Sequence, residues 1–257
     1  MLAEFMFEYD SPIICTAIHN GHFISKNIKE NLAVTEDIQK RGEDSYTEFF
    51  TEICKNRIIG RTSRFEVDIN RTPEKTVYLK PEDAWNLKVR KQPPTKEEIE
   101  QSLQKYYRFY SEAEIHFNKM KAKFGKFFVY DIHSYNHRRN GPNSSPADPD
   151  KNPEIILGTN NMPEKWLPLV HDVQKNLRKF DYFGRQLDVR INIKFPGGNF
   201  SRWIHRTFPV SACCIAIEFK KIFMDEWTGD LDEEKQNKLK EALNSTLPGI
   251  RANLQSF

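Results

Sequence analysis

Short apolar runs broken by polar turns alternate with longer amphipathic stretches along this chain, and each predicts an element. Residues 12–18, Pro-Ile-Ile-Cys-Thr-Ala-Ile, read as a buried strand that stops at His19-Asn20-Gly21-His22. Ser45 and Glu48 have capping-box spacing ahead of Phe49, Phe50 and Ile53, which predicts a short helix covering a sheet. Residues 65–69 alternate apolar and polar as a half-buried strand does. Pro73 disfavours helix at Thr72, so Asn70 and Arg71 fall on a strand-to-loop exit. The clearest helix is 95–124. Thr95 and Glu98 form a capping box, Ile99, Leu103, Tyr106, Tyr110, Ala113, Phe117, Met120 and Phe124 step by four and three, and Gly125 offers a stop.

A central strand follows at 128–132, ending in His133, Ser134, Tyr135, Asn136, His137, Arg138 and Arg139. Residues 140–153 are rich in Asn, Ser, Pro and Asp and predict a long binding or lid loop. Strands are predicted at 155–157, 187–193 and 213–219, helices at 163–180 and 232–243, and a turn through the Gly197-Gly198 pair. Alternation of this kind predicts an α/β fold: a single domain over 1–257 with a mixed, mostly parallel twisted sheet and helices on both faces.

Composition narrows the function classes. The 39 basic and 36 acidic residues leave a net charge of only +3, which does not make the concentrated basic surface that nucleic acid requires. No apolar run approaches the ~20 residues of a membrane span. Acids near the N-terminus occupy the place of a signal peptide's bases. Cys15, Cys54, Cys213 and Cys214 show no CxxC spacing and read as small apolar residues, with Cys213 and Cys214 on opposite faces of a strand. The expectation is a cytoplasmic protein acting on a small molecule, with neither nucleic acid nor membrane as a partner.

The chemistry gathers at the strand exits. In α/β sheets ligands bind beyond the carboxyl ends of the strands, and the predicted exits present His19 with His22, Asn70 with Arg71, His133, and Glu218. Three imidazoles can hold Zn²⁺ and leave a position for water. A glutamate can move the water's proton to a leaving amine, and an arginine can bind a carboxylate or steady an oxyanion. These are the parts of metal-assisted amide hydrolysis.

At those residues the chain resembles the N-formylglutamate amidohydrolases, relatives of the zinc carboxypeptidases. The matching segments are Ala17-Ile18-His19-Asn20-Gly21-His22, Val67-Asp68-Ile69-Asn70-Arg71, Tyr130-Asp131-Ile132-His133-Ser134-Tyr135, Leu157-Gly158-Thr159, Phe195-Pro196-Gly197-Gly198-Asn199 and Ile217-Glu218-Phe219, in the family's order. The resemblance implies a zinc carboxypeptidase-like fold, Zn²⁺ on His19 and His133, and Glu218 as the catalytic carboxylate. His22 stands where zinc carboxypeptidases place a glutamate ligand, and is expected as the third ligand. Asn70, Arg71 and Ser134 are expected to bind substrate, with Arg71 also serving catalysis and Arg138 or Arg139 taking a second carboxylate. The implied reaction is hydrolysis of a linear amide such as N-formyl-L-glutamate. A carboxypeptidase or peptide amidase, or a non-catalytic binding module on the same fold, are the alternatives.

Overall fold

The computed structural model describes residues 1–256. In chain order the elements are β1 (Ala3–Met6), β2 (Ile13–Ala17), α1 (Lys26–Asn31), α2 (Glu36–Gly42), α3 (Thr47–Thr51), β3 (Asn56–Gly60), α4 (Lys96–Phe124), β4 (Phe127–Tyr135), β5 (Ile155–Gly158), α5 (Leu167–Lys179), β6 (Val189–Ile191), α6 (Asn199–Thr207), β7 (Ala212–Lys220), α7 (Glu233–Asn244) and α8 (Leu247–Ser256). Among these residues the strands form one seven-stranded sheet in the order β1-β3-β2-β4-β7-β5-β6. The centre, β3-β2-β4-β7, is parallel; β1 and β5 run antiparallel to it, and β6 follows β5.

Helices cover both faces, as the alternation of elements predicts. On one face Phe128, Tyr130 and Ile132 of β4 pack with Cys213, Ile215, Ile217 and Phe219 of β7 under α3, α5, α7 and α8. On the other, Phe127, Val129 and Cys214 pack under α4 and α6. Strand side chains alternate between faces, so Asp131 and His133 of β4 share the α4/α6 face with Glu218 of β7, whose register partner is His133. At this end of the sheet apolar packing gives way to polar groups.

The helix α4 keeps its predicted capping box, with Thr95 accepting from Glu98 N and Glu98 accepting from Thr95 N, and ends at Gly125 with φ 72°. Two other expectations are corrected. Residues 65–69 are not a strand: they form turns with no sheet neighbour, their backbone bonded to Ser63 and Thr76. The alternation there is real burial, with Phe65 entering a small satellite cluster and Val67 and Ile69 the α4-side core. The strand beside β2 is instead β3. At α3 the expected capping box is absent: Tyr46, with φ 66°, precedes the helix, and Asn20 Oδ1 accepts from Glu48 N instead. No described residue of the 140–153 loop lines the large pocket set out below.

Candidate active site

Four segments bring the site together at the carboxyl ends of the parallel strands. His19 follows β2, His133 and Asp131 belong to β4, Glu218 to β7, and Asp68 with Asn70 to the buried turn after β3. A fifth contribution, Asp44, comes from the α2–α3 connection. It is anchored across the end of β2 by a bond from Asp44 N to His19 O at 3.1 Å.

His19 Nδ1 and His133 Nδ1 converge on Asp44 Oδ2, at 3.4 Å and 3.0 Å. The ring centroids are 5.0 Å apart. Each opposite nitrogen faces a further buried carboxylate: His19 Nε2 lies 2.8 Å from Asp68 Oδ1, and His133 Nε2 lies 3.1 Å from Asp131 Oδ2. Asp68 is itself fixed by Arg64 at 2.8 Å, by the Tyr78 hydroxyl and by Asn70 N. Thr16 donates to Asp131 Oδ1 at 3.0 Å.

This donor set fits a cation. Asp68 takes the His19 Nε2 proton, while His133 Nε2 lies between Asp131 Oδ2 at 3.1 Å and the Asn70 amide nitrogen at 3.4 Å, so both Nδ1 atoms converge on one Asp44 oxygen, a grouping that suits positive charge between them. Without a metal, protons supply that charge. Burial opposes protonation of His133, yet Asp131 and Asp44 outweigh it and hold its pKa well above the usual value. Burial alone would raise Asp44, but hydrogen bonds from His133 and His19 keep it ionised far below the ordinary carboxylate range. Among the described residues, His19, Asp44 and His133 form a group whose ligand atoms lie within 4.8 Å of one another.

His22 lies outside this group, contrary to its expected place as third ligand. Its Nδ1 meets Glu43 Oε2 at 2.5 Å while 47% of the side chain is exposed. Glu43 is buried and also held by Ser63 and Gln39, so it draws the His22 ring away from the centre. No local motif announces Asp44, because it approaches through tertiary folding from the turn between two short helices.

The centre opens into a cavity of about 980 Å³. Of the expected residues, His19, Asn70, Arg71, His133, Ser134, Arg139 and Glu218 line it. Arg138 does not: its guanidinium pairs with Asp225, and its Nη1 donates to Pro142 O at 3.2 Å. Arg41, Arg64, Lys75, Arg202, Lys221 and Trp85 also line the cavity and were not anticipated. Asn70 is held in place by α6, since Phe200 N donates to its Oδ1 at 3.0 Å and Asn199 N to its carbonyl. A side chain at Gly198 would strike that amide at 2.2 Å, so this glycine permits the close approach. Burial pushes Glu218 up to about 8, with Asp44 and Asp131 adding to the rise against His133.

A cavity at the carboxyl ends of parallel strands, largely apolar with a few convergent charged groups, is the active-site arrangement of α/β enzymes. The family model described as N-formylglutamate amidohydrolase matches residues 11–224, and the chain belongs to that family. The fold is similar to that of an N-formylglutamate amidohydrolase from Ralstonia eutropha JMP134, with a TM-score of 0.79 at 17% identity over 100% of this chain and 99% of the other. A gene product from Agrobacterium tumefaciens is also similar, with a TM-score of 0.68 at 16% identity, covering 97% of this chain and 96% of that one. No curated protein sequence matches the chain significantly. None of the described helices is long and apolar enough to cross a membrane.

Proposed function

We propose that this chain is a zinc-dependent amidohydrolase that cleaves the linear amide of an N-acyl amino diacid such as N-formyl-L-glutamate, with His19, Asp44 and His133 as the metal ligands. The observation that carries the proposal is the pair of imidazoles turned by Nδ1 toward one Asp44 oxygen, with His19 held at Nε2 by Asp68 and His133 Nε2 standing 3.1 Å from Asp131. Two histidines, a carboxylate and an open fourth side are the donor set of hydrolytic zinc sites. A bound divalent cation supplies Lewis-acid polarisation of the amide carbonyl and lowers the pKa of the attacking water.

The remaining roles belong to the protein. Asp68 fixes the tautomer and orientation of His19, and Asp131 and the Asn70 amide flank His133 Nε2. Glu218, beside His133 on the neighbouring strand, would take the water's proton in its ionised form, which a cation held by His19, Asp44 and His133 would favour against the burial that raises its pKa, and return it to the departing amine. Arg71, whose nearest carboxylate oxygen is 3.6 Å away on Asp68, has donors left for a substrate carboxylate. Arg139 is exposed in the same cavity and suits the second carboxylate of a glutamate. Asn70 and Ser134 orient the amide. Arg138, committed to Asp225, drops out of the set.

Elemental analysis of the purified chain, beside glutamate release from N-formyl-L-glutamate, tests the proposal. The expected result is one zinc per chain, lost together with activity in Asp44→Asn and His133→Ala and retained in His22→Ala. Metal that survives Asp44→Asn but leaves with His22→Ala would restore the histidine triad and remove Asp44.

A further inference from the structure

Three apolar side chains share one part of the cavity wall, and nothing in the amide chemistry uses them. Trp85 is 53% exposed, Ile38 is 38% exposed, and Leu87 is partly buried against the satellite cluster. Their adjacency follows from the fold. Ile38 and Gly42 stand one turn apart on α2, and a Cβ on Gly42 would come within 3.6 Å of the Trp85 ring. Trp85 is also held where bulky residues seldom sit, at φ 53° in the left-handed region, followed by Asn86 at φ 65°. The Arg64 guanidinium lies 4.8 Å from the indole centroid, and Arg64 binds the Asp68 that orients His19. The apolar wall is therefore tied to the metal centre through one arginine.

The size of the cavity agrees with this. About 980 Å³ lies at the top of the range of roughly 300–1,000 Å³ that accommodates drug-sized ligands. An N-formyl amino diacid is far smaller and offers only a single carbon on the acyl side. The cations of the cavity answer to carboxylates, and the indole, isoleucine and leucine have no partner in such a molecule.

We infer that the cavity takes N-acyl amino diacids whose acyl group is apolar and bulky, about six carbons or more, packed on Trp85, Ile38 and Leu87. The inference rests on the amide-hydrolase reading and names its substrate class. Trp85 and Ile38 are then specificity determinants that touch the acyl group and leave the reacting atoms to the metal centre.

Calorimetric binding of N-formyl-, N-hexanoyl- and N-benzoyl-L-glutamate to the Glu218→Gln protein tests it, with KM ratios of the unmodified chain as a measure independent of that substitution. The expected outcome is that the bulky compounds bind about tenfold tighter or more than the formyl compound, and that Trp85→Ala removes most of that ratio. The hexanoyl and benzoyl arms separate an aliphatic from an aromatic acyl group. Equal affinity, or tighter binding of the formyl compound, overturns the inference while leaving amide hydrolysis in place if any of the three is cleaved. Tighter binding of the bulky acyl compounds with no cleavage of any supports the apolar wall and overturns the hydrolase reading. Failure of all three to bind overturns both.

Discussion

His205 shows how completely a single buried residue can be specified. Its Nε2 accepts from Cys214 N at 3.0 Å, so that nitrogen carries no proton, while Nδ1 faces Asn161 Oδ1 at 3.4 Å. Burial pushes its pKa down to about 4, and the Cys214 N–H donated to Nε2 holds the ring neutral. The unfolded chain, with an ordinary histidine near 6.5, binds a proton that the native one refuses. His205 therefore stabilises the fold fully above about pH 6.5, and the contribution is lost as pH falls toward 4. Its size is on the order of 3 kcal/mol. Denaturant unfolding across that window is expected to show a shallower acid slope in His205→Gln than in the parent chain; parallel slopes would remove His205 from the acid response. Glu218 makes a second prediction at this scale. Glu218→Gln keeps the side chain's shape and removes the proton carrier, so turnover is expected to fall by about 10²–10⁴-fold while elemental analysis finds the metal retained.

At the scale of elements, two capping-box spacings in the sequence meet different ends. Thr95 and Glu98 exchange backbone bonds at the start of α4, so Thr95→Ala is expected to cost about 1 kcal/mol. Ser45 caps nothing, and its buried hydroxyl donates only a long bond to Lys40 O at 3.5 Å, so Ser45→Ala is expected to cost less than Thr95→Ala by the same thermal or denaturant measurement. The contrast explains what was legible. Long periodic segments such as α4, and apolar runs such as those of β2, β4 and β7, carry their own evidence because their burial follows their period. The 65–69 segment has the period of a strand but lacks a neighbour to pair with, and pairing is a property of the tertiary fold. The site divides in the same way. His19, His133 and Glu218 lie in or just after core strands and could be read as exits. Asp44 and Trp85 arrive from irregular connections, and the departure of His22 is set by Glu43, 21 residues further along the chain.

For the molecule as a whole, a net charge of +3 conceals a negative centre. Asp44, Asp68 and Asp131 are buried around two imidazoles, with Arg64 as the cation paired to Asp68 and Glu218 close by in the cavity wall. Removing one partner of buried charges is costlier than removing a surface pair, because the remaining charge cannot regain water. A cation that binds only the native arrangement must therefore contribute to stability as well as to chemistry, by about 2.7 kcal/mol when the free metal is in 100-fold excess over its Kd. At about 2–4 °C per kcal/mol for a chain of this size, Tm is expected to fall by about 5–10 °C when a chelator strips the metal. Zinc should restore it. Asp44→Asn removes a proposed ligand and is expected to melt at the same temperature with and without chelator, whereas His22→Ala should keep the full response. A parent chain whose melting ignores the chelator would mean that a metal adds nothing to the fold and that protonation of His133 supplies the positive charge of this centre.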